Sequence, residues 1–237
     1  MLKKFYSWLY HVTAMPDERG EYSGGRLEGF IRNQALELCR GAIGKVLEIG
    51  FGSGLFVLKL AAQESGLEVW GVDNNGVLLD QVLRKAADKG LSNLRLAVED
   101  AKHLSFPDGM FDRVVCVNLF LNIGFEGMSA ILREMKRVCA TQGKVIFEFR
   151  NSRNPLFVLK YKLAKYYDTT APYPLYTFDP ARVESLLREL GLNIVGRSSI
   201  GFPVKWLGQV GIGIVQEDEA IAKQPGHLPR HPLFPHA

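Results

Sequence analysis

Hydrophobic and polar positions alternate between two periods along most of the chain. Short apolar runs, typical of strands buried on both faces, begin near residues 45, 68, 94, 111 and 144. Between them, apolar residues recur every three to four positions and predict helices over 55–64, 76–89 and 127–140. Strands and helices that alternate with short connections predict a mostly parallel sheet with helices on both faces.

The segments on either side of this series predict further elements. An amphipathic helix is expected over 26–40, ahead of the first strand. Two more helices are expected over 155–167 and 180–190, and the apolar runs 194–200 and 210–215 predict two last strands, paired antiparallel. The fold class is therefore α/β: a Rossmann-like, mostly parallel seven-stranded sheet with an antiparallel final strand.

One domain is expected over residues 1–216. Residues 1–25 and 151–178 lie outside the β/α series and carry clustered aromatic side chains, so we predict an N-terminal lid and a cap insertion. Residues 217–237 are acidic and then rich in proline and histidine, which predicts an irregular tail. Gly90, Gly143 and Gly191 stand where helix-ending glycines belong.

Composition narrows the class of protein. The 237 residues are 47% hydrophobic and 23% charged, which suits a single globular domain with a sizeable core. No apolar run approaches the ~20 residues of a transmembrane helix, and no secretory signal is evident, so we predict a cytoplasmic protein. The cysteines at 39, 116 and 139 are widely spaced, which favours reduced thiols and gives no metal-binding motif.

The net charge of +4 is too small to indicate nucleic-acid binding, and we expect no DNA partner. The charge is uneven, however, because residues 133–165 carry nine Lys or Arg against two acidic residues. Two interpretations stay open for this segment. It is either a solvated surface or a region that attracts an acidic substrate or a membrane surface.

Candidate chemistry begins in the loop after the first strand, where the sequence from Glu48 reads Glu-Ile-Gly-Phe-Gly-Ser-Gly. Gly50 allows a sharp turn off the strand. Gly52 removes a side chain where a ligand would lie against the backbone, and Gly54 lets the next helix begin close to the sheet. The helix N-terminus offers unpaired N–H groups to an anionic group. The pattern predicts a nucleotide-type cofactor loop.

The next strand ends in Asp73, 21 residues after Gly52, where a carboxylate can accept both hydroxyls of a ribose. A nicotinamide cofactor is disfavoured because its fingerprint places the third glycine one residue later than Gly54. The pair Tyr161 and Lys165 has the spacing of a short-chain dehydrogenase, but such a pair arises easily by chance on a helix.

On these residues the sequence resembles the class I S-adenosylmethionine-dependent methyltransferases over roughly residues 44–150. The motif Glu48–Gly54 matches that family's first motif, and the stretch from Glu99 to Asp112 resembles small-molecule members, including the quinone-biosynthesis type. The cofactor-binding residues that the resemblance implies are Glu48, Gly50, Gly52, Gly54, Asp73, Asn74, Asp100, Ala101 and Asn118.

The resemblance also implies a role for each part of this set. The glycines would line the methionine part of S-adenosylmethionine, and Asp73 would bind its ribose. Asp100 would accept from the adenine amino group, while the Ala101 N–H would face an adenine ring nitrogen. Asn118 would lie near the amino-acid end of the cofactor.

The expected reaction is methyl transfer from S-adenosylmethionine to an oxygen or carbon atom of a small, partly apolar metabolite, by a monomer or homodimer without a metal. The sequence assigns no catalytic base. Substrate-side candidates are His11 in the lid, Asn122, Tyr173 in the cap, and Arg150, which could hold a carboxylate or phosphate. The alternative is a non-catalytic cofactor-binding subunit or regulator.

Overall fold

The computed structural model describes residues 4, 14–16, 22–166, 174–200 and 210–216. The helices with described bounds are α1 (Arg26–Cys39), α2 (Leu55–Gln63), α3 (Gly76–Asp88), α4 (Phe125–Val138), α5 (Pro155–Ala164) and α6 (Pro180–Glu189), with a 3₁₀ helix at Phe120–Asn122. The strands are β1 (Ala14–Pro16), β2 (Tyr22–Gly25), β3 (Lys45–Ile49), β4 (Glu68–Asp73), β5 (Leu94–Val98), β6 (Phe111–Cys116), β7 (Cys139–Arg150), β8 (Asn193–Ile200) and β9 (Val210–Gln216).

The main sheet of the described residues has the strand order β5-β4-β3-β6-β7-β9-β8. Strands β3 to β7 are parallel, which confirms the predicted Rossmann-like parallel sheet. Strand β9 lies between β7 and β8 and runs antiparallel to both. Because β3 to β6 are neighbours with one direction, their carboxyl ends meet at one edge of the sheet, where ligands of open α/β sheets bind.

Helices cover both faces of this sheet, as the alternation of periods predicts. Successive side chains on a strand point to opposite faces. Val46 and Ile146 are buried in the cluster that α1, α2 and α3 cover, whereas Leu47 and Phe147 are buried in the cluster that α4 and α6 cover. All three cysteines are buried, and none of them forms a disulfide.

The boundary between α4 and β7 differs from its prediction. The sequence predicts a helix over 127–140 with Gly143 at its end, but α4 begins and ends two residues earlier and Gly143 lies within β7. The pairing of β7 with β6 is irregular in this region. A Cβ on Gly143 would lie 2.8 Å from the Ala140 carbonyl oxygen, so the glycine permits this irregularity instead of ending the helix.

The described part of the cap insertion returns to the sheet edge. Helix α5 ends at Ala164, three residues before its predicted end. After the undescribed residues 167–173, the Phe178 N–H donates to the Arg150 carbonyl oxygen at 2.7 Å, and the Tyr176 N–H donates to the Leu121 carbonyl oxygen at 2.7 Å. The cap is therefore attached where β6 and β7 end.

Of the lid segment 1–25, the described residues include β1 and β2, which pair antiparallel just before α1. The tail 217–237 lies outside the described residues. None of the helices in the part of the chain that the structure describes is both long and apolar enough to cross a membrane.

Candidate functional site at the carboxyl edge of the sheet

The three glycines of the loop after β3 all adopt left-handed backbone conformations. The φ angles of Gly50, Gly52 and Gly54 are 80°, 50° and 80°. The Gly50 N–H donates to the Val72 carbonyl oxygen at 2.8 Å, which holds the loop against β4. Side chains are strained in this region of φ, so the loop conformation requires these glycines.

Gly54 makes a different close approach from the one that the sequence predicts. A Cβ at this position would lie 2.4 Å from the Cγ1 atom of Val82 on α3. The close packing is therefore between the start of α2 and α3, and not between α2 and the sheet. Gly54 is also the N-cap of α2 and has no side chain to bond the first turn, so the N-terminal N–H groups of the helix lack a side-chain cap.

Gly52 faces open space, since no heavy atom lies within 4 Å of the position of a Cβ there. Its N–H donates to the Asp73 Oδ2 atom at 2.9 Å, which joins the loop to the end of β4. The other carboxylate oxygen of Asp73 accepts from the Asn75 N–H at 3.0 Å. Each oxygen of a carboxylate has two lone pairs, so Asp73 keeps acceptor capacity for a ligand.

Glu48 is buried at the end of β3, and its Oε2 atom is buried with no hydrogen-bond partner among the described residues. Burial raises the pKa of its carboxyl from 4.5 to about 8, and the Asp73 carboxylate adds to the rise. Arg32 on α1 and the backbone N–H of Val57 oppose it. A buried acceptor without a donor suits a ligand with a cationic N–H group.

The residues that are predicted to bind adenine, Asp100 and Ala101, follow β5 in the chain. The Asp100 carboxylate is exposed and accepts from the Lys102 N–H at 2.9 Å, and its carbonyl oxygen accepts from the His103 N–H at 2.9 Å. Ala101 between them is half-buried against the core, and Asn74 beside Asp73 is exposed. These residues share one edge because Asp73 at the end of β4 pairs with Val98 at the end of β5.

Asn118 follows β6 and has a φ of 60°, the only positive φ of a non-glycine residue in the described segments. Its N–H donates to the Glu148 Oε1 atom at 2.8 Å, and its Oδ1 atom accepts from Arg150 Nη2 at 3.2 Å. Asparagine tolerates this conformation better than most residues. The left-handed turn of Asn118 is therefore held by two side chains of β7.

Arg150 is fully buried and bonded on several sides by protein groups, which the sequence does not reveal. Its Nη1 atom donates to Glu148 Oε2 at 2.7 Å, and its Nε atom donates to the Tyr161 hydroxyl at 2.9 Å. The Glu28 carboxylate of α1 lies 3.6 Å from Nη2. This placement favours a role in holding Asn118 rather than direct contact with a substrate anion.

The charges in this cluster stabilise one another. Burial alone would lower the pKa of Arg150, but the carboxylate of Glu148, the Tyr161 hydroxyl and Glu28 hold it above its usual value. Burial raises the pKa of Glu148, and the Arg150 guanidinium and the Asn118 N–H oppose the rise. The cluster connects β7 with α1, which follows the predicted lid, and with α5, which belongs to the predicted cap.

The other substrate-side candidates are distributed differently. Asn122 is exposed at the end of the 3₁₀ helix that follows β6. His11 and Tyr173 lie outside the described residues. In the described part of the chain, no group of three or more His, Cys, Asp or Glu residues is arranged to hold a metal ion.

The residues present fit S-adenosylmethionine at this edge. The open space at Gly52 leaves room for a ligand against the backbone, and the unpartnered Oε2 of Glu48 suits its ammonium group. Asp73 and Asp100 place two carboxylates at the ends of neighbouring strands, where acceptors for ribose and adenine would be needed. The donor and acceptor set thus matches the anionic, hydroxyl and amino groups of such a cofactor.

Comparison with known proteins agrees with this geometry. A family model described as a methyltransferase domain matches residues 46–143. The chain is 33% identical over 186 residues to the demethylmenaquinone methyltransferase of Thermus thermophilus, covering 74% of this chain and 82% of that protein. It is 30% identical over 152 residues to the phosphatidylethanolamine N-methyltransferase of Cereibacter sphaeroides, covering 63% of this chain and 72% of that protein.

A solved structure shares the fold. The magnesium protoporphyrin IX methyltransferase of Synechocystis PCC 6803, with bound S-adenosylhomocysteine, superposes with a TM-score of 0.62 at 18% identity. The match covers 81% of this chain and 82% of that chain.

Proposed function

We propose that this chain, which belongs to the class I S-adenosylmethionine-dependent methyltransferases, transfers a methyl group to an oxygen or carbon atom of a small, partly apolar metabolite. The observation that carries this acceptor class is the relative that acts on demethylmenaquinone, which matches at 33% identity over 82% of its own length.

The cofactor-side residues have separate tasks in this proposal. Asp73 accepts the ribose hydroxyls, while Asp100 and the Ala101 N–H bind adenine, with Asn74 beside them. The carboxyl of Glu48 accepts from the ammonium group of the cofactor, whose positive charge would favour the ionised form of this carboxyl. The methionine part of the cofactor lies along the loop of Gly50, Gly52 and Gly54, with Asn118 near the amino-acid end.

When bound, S-adenosylmethionine supplies a methyl group on a positively charged sulfur, which is already electrophilic. The chain must therefore chiefly hold the acceptor atom in line with that methyl group. We assign this task to the cap side of the site, with Asn122 as its described candidate and with Tyr173 and His11 as candidates from the sequence alone. Arg150 contributes by holding Asn118.

A second acceptor class has a specific observation in its favour. The relative from Cereibacter sphaeroides, at 30% identity over 152 residues, acts on phosphatidylethanolamine, whose acceptor atom is nitrogen. An amine needs no base once it is deprotonated, so an amine acceptor would also fit a site without an assigned base.

The proposal is tested by transfer of labelled methyl from S-adenosylmethionine into three pools: a panel of quinols and phenols, phosphatidylethanolamine, and bulk tRNA. We expect label in the first pool, and much less label at limiting S-adenosylmethionine when Asp73 is replaced by alanine. Label in phosphatidylethanolamine alone would refute the oxygen or carbon acceptor and support the amine acceptor. Label in tRNA alone would refute both.

A further inference from the structure

Helix α5 carries apolar residues on two opposite sides, although only one side is used by the fold. Tyr161 and Ala164 are buried against the domain. Leu159, Leu163 and Tyr166 are 52%, 38% and 64% exposed. The spacing of four residues places Leu159 and Leu163 on one side of α5, away from Tyr161, and Tyr166 follows two residues after the helix ends. An isolated exposed leucine is ordinary, but three exposed large apolar side chains within eight residues indicate an interaction surface.

The described charged side chains beside these residues on the chain are basic. Lys162 and Lys165 are exposed beside them, and the Lys165 ammonium lies 5.0 Å from the centre of the Tyr166 ring. Between Glu148 and Asp168 the sequence carries five Lys or Arg and no acidic residue. We call Leu159, Leu163, Tyr166, Lys162 and Lys165 the α5 outer face.

We infer that the α5 outer face docks this protein on an anionic lipid surface. Exposed leucine and tyrosine side chains with adjacent lysines match a bilayer interface, where apolar side chains enter the acyl boundary and lysines meet anionic headgroups. A protein partner would have to be both apolar and acidic at this point, and a second copy of the chain would bring like charges together. The charge therefore favours lipid.

The position of α5 connects this surface to the site. The helix begins five residues after β7 ends, at the same edge of the sheet as the glycine loop. Its inner side reaches the site through the Tyr161 hydroxyl, which accepts from Arg150 Nε at 2.9 Å. Docking of the outer face would place the acceptor side of the site next to the bilayer. This last step rests on the proposed function, because an apolar acceptor would be dissolved there.

The test is flotation of the purified full chain with phosphatidylcholine vesicles, with and without phosphatidylglycerol in equal part, at low and high salt. We expect binding to the anionic vesicles and weak binding to the neutral ones. Leu159→Gln with Leu163→Gln should weaken binding roughly tenfold or more. Lys162→Gln with Lys165→Gln should weaken it roughly 30-fold, about fivefold for each lysine.

Matched controls come from α3. Leu83→Gln replaces a leucine that is 43% exposed, close to the 38% of Leu163, and Arg84→Gln with Lys89→Gln removes two exposed charges. Both controls should bind vesicles as the wild type does. Calorimetry with S-adenosylhomocysteine shows whether each variant has kept its fold.

Equal binding to neutral and anionic vesicles, no binding, or equal losses in the α5 and α3 variants would overturn the inference. So would a dimer in sedimentation that Leu163→Gln dissociates without any binding to vesicles. Because flotation needs no methyl transfer, vesicle binding without label in any apolar acceptor would retain the docking surface and refute the proposed function. Methyl transfer to an apolar acceptor in detergent, without any binding to vesicles, would retain the proposed function and refute the docking surface.

Discussion

At the scale of single residues, the buried carboxyl of Glu48 makes the stability of the protein depend on pH. Its pKa is about 8 in the folded chain and 4.5 in an unperturbed carboxyl. Between these values the folded state binds more protons than the unfolded state, so the free energy of unfolding falls as pH rises, by about 1.4 kcal/mol for each pH unit.

We expect Glu48→Gln to remove this slope between pH 4.5 and about 8, the window that the two pKa values define. Chemical denaturation at a series of pH values checks it. Asp88→Asn, at an exposed carboxyl on α3, should leave the slope unchanged. If the glutamine variant loses stability with pH as steeply as the wild type, Glu48 is not the group responsible.

Asp73 joins the cofactor loop to the second strand of the site, so its replacement tests the ribose assignment. Asp73→Ala would leave two ribose hydroxyls without their charged acceptor, which costs about 1.5–3 kcal/mol, or roughly 10- to 150-fold in affinity. It would also free the Gly52 N–H, which Asp73 accepts at 2.9 Å. Asp73→Asn, which keeps an acceptor, separates the two effects. Unchanged affinity for S-adenosylhomocysteine in calorimetry would refute the assignment.

At the scale of elements, Tyr161 attaches α5 to the buried Arg150 by one hydrogen bond. Tyr161→Phe would leave the Nε–H of a buried guanidinium without its acceptor, at a cost of about 1–3 kcal/mol. We expect lower stability to denaturant and faster hydrogen exchange in α5. Tyr166→Phe, on the exposed side just beyond the same helix, should change neither. Equal behaviour of the two variants would show that this bond does not hold α5.

The N-terminal lid stays a prediction, since most of residues 1–25 lies outside the described part of the chain. Deletion of residues 1–22 should reduce methyl transfer far more than the free energy of unfolding, because the main sheet and its helices begin at α1. Activity and denaturation of the truncated chain measure the two effects. Full activity of the truncated chain would refute the prediction that the N-terminal segment acts as a lid.

The sequence predicts an element well when residues at its own ends, such as a capping side chain or a following glycine, determine where it begins and ends. Helix α3 begins at an Asn75 side chain that accepts from the Val77 N–H, and its end is followed by Gly90 with a φ of 65°. The start of β7 could not be found in this way, because its irregular pairing depends on β6, a strand distant in sequence. In the sequence, a glycine that ends a helix and a glycine that permits an irregular strand pairing, such as Gly143, cannot be told apart.

At the scale of the whole molecule, the cofactor edge was predictable and the buried cluster behind it was not. Glycines and a strand-end carboxylate follow one another at fixed spacing, so the loop and Asp73 can be found in sequence. The partners of Arg150 come from α1, β7 and α5, and only the fold brings Glu28, Glu148 and Tyr161 to one guanidinium. No periodicity marks such a meeting of distant residues.

The distribution of charge over the whole molecule argues against a nucleic-acid substrate. Of the nine basic residues between 133 and 165, Arg137, Arg150 and Arg153 form ion pairs with carboxylates of the chain itself. The other six are divided among α4, β7 and the α5 region, which disfavours a continuous row of phosphate contacts, and each such contact adds about 0.9 to the slope of log affinity against log salt on a duplex. We therefore expect bulk tRNA to bind weakly, with a shallow dependence on salt in fluorescence anisotropy. Tight binding with a steep slope, together with methyl transfer into tRNA, would mean that the basic segment is an RNA path and that the acceptor is not a small metabolite.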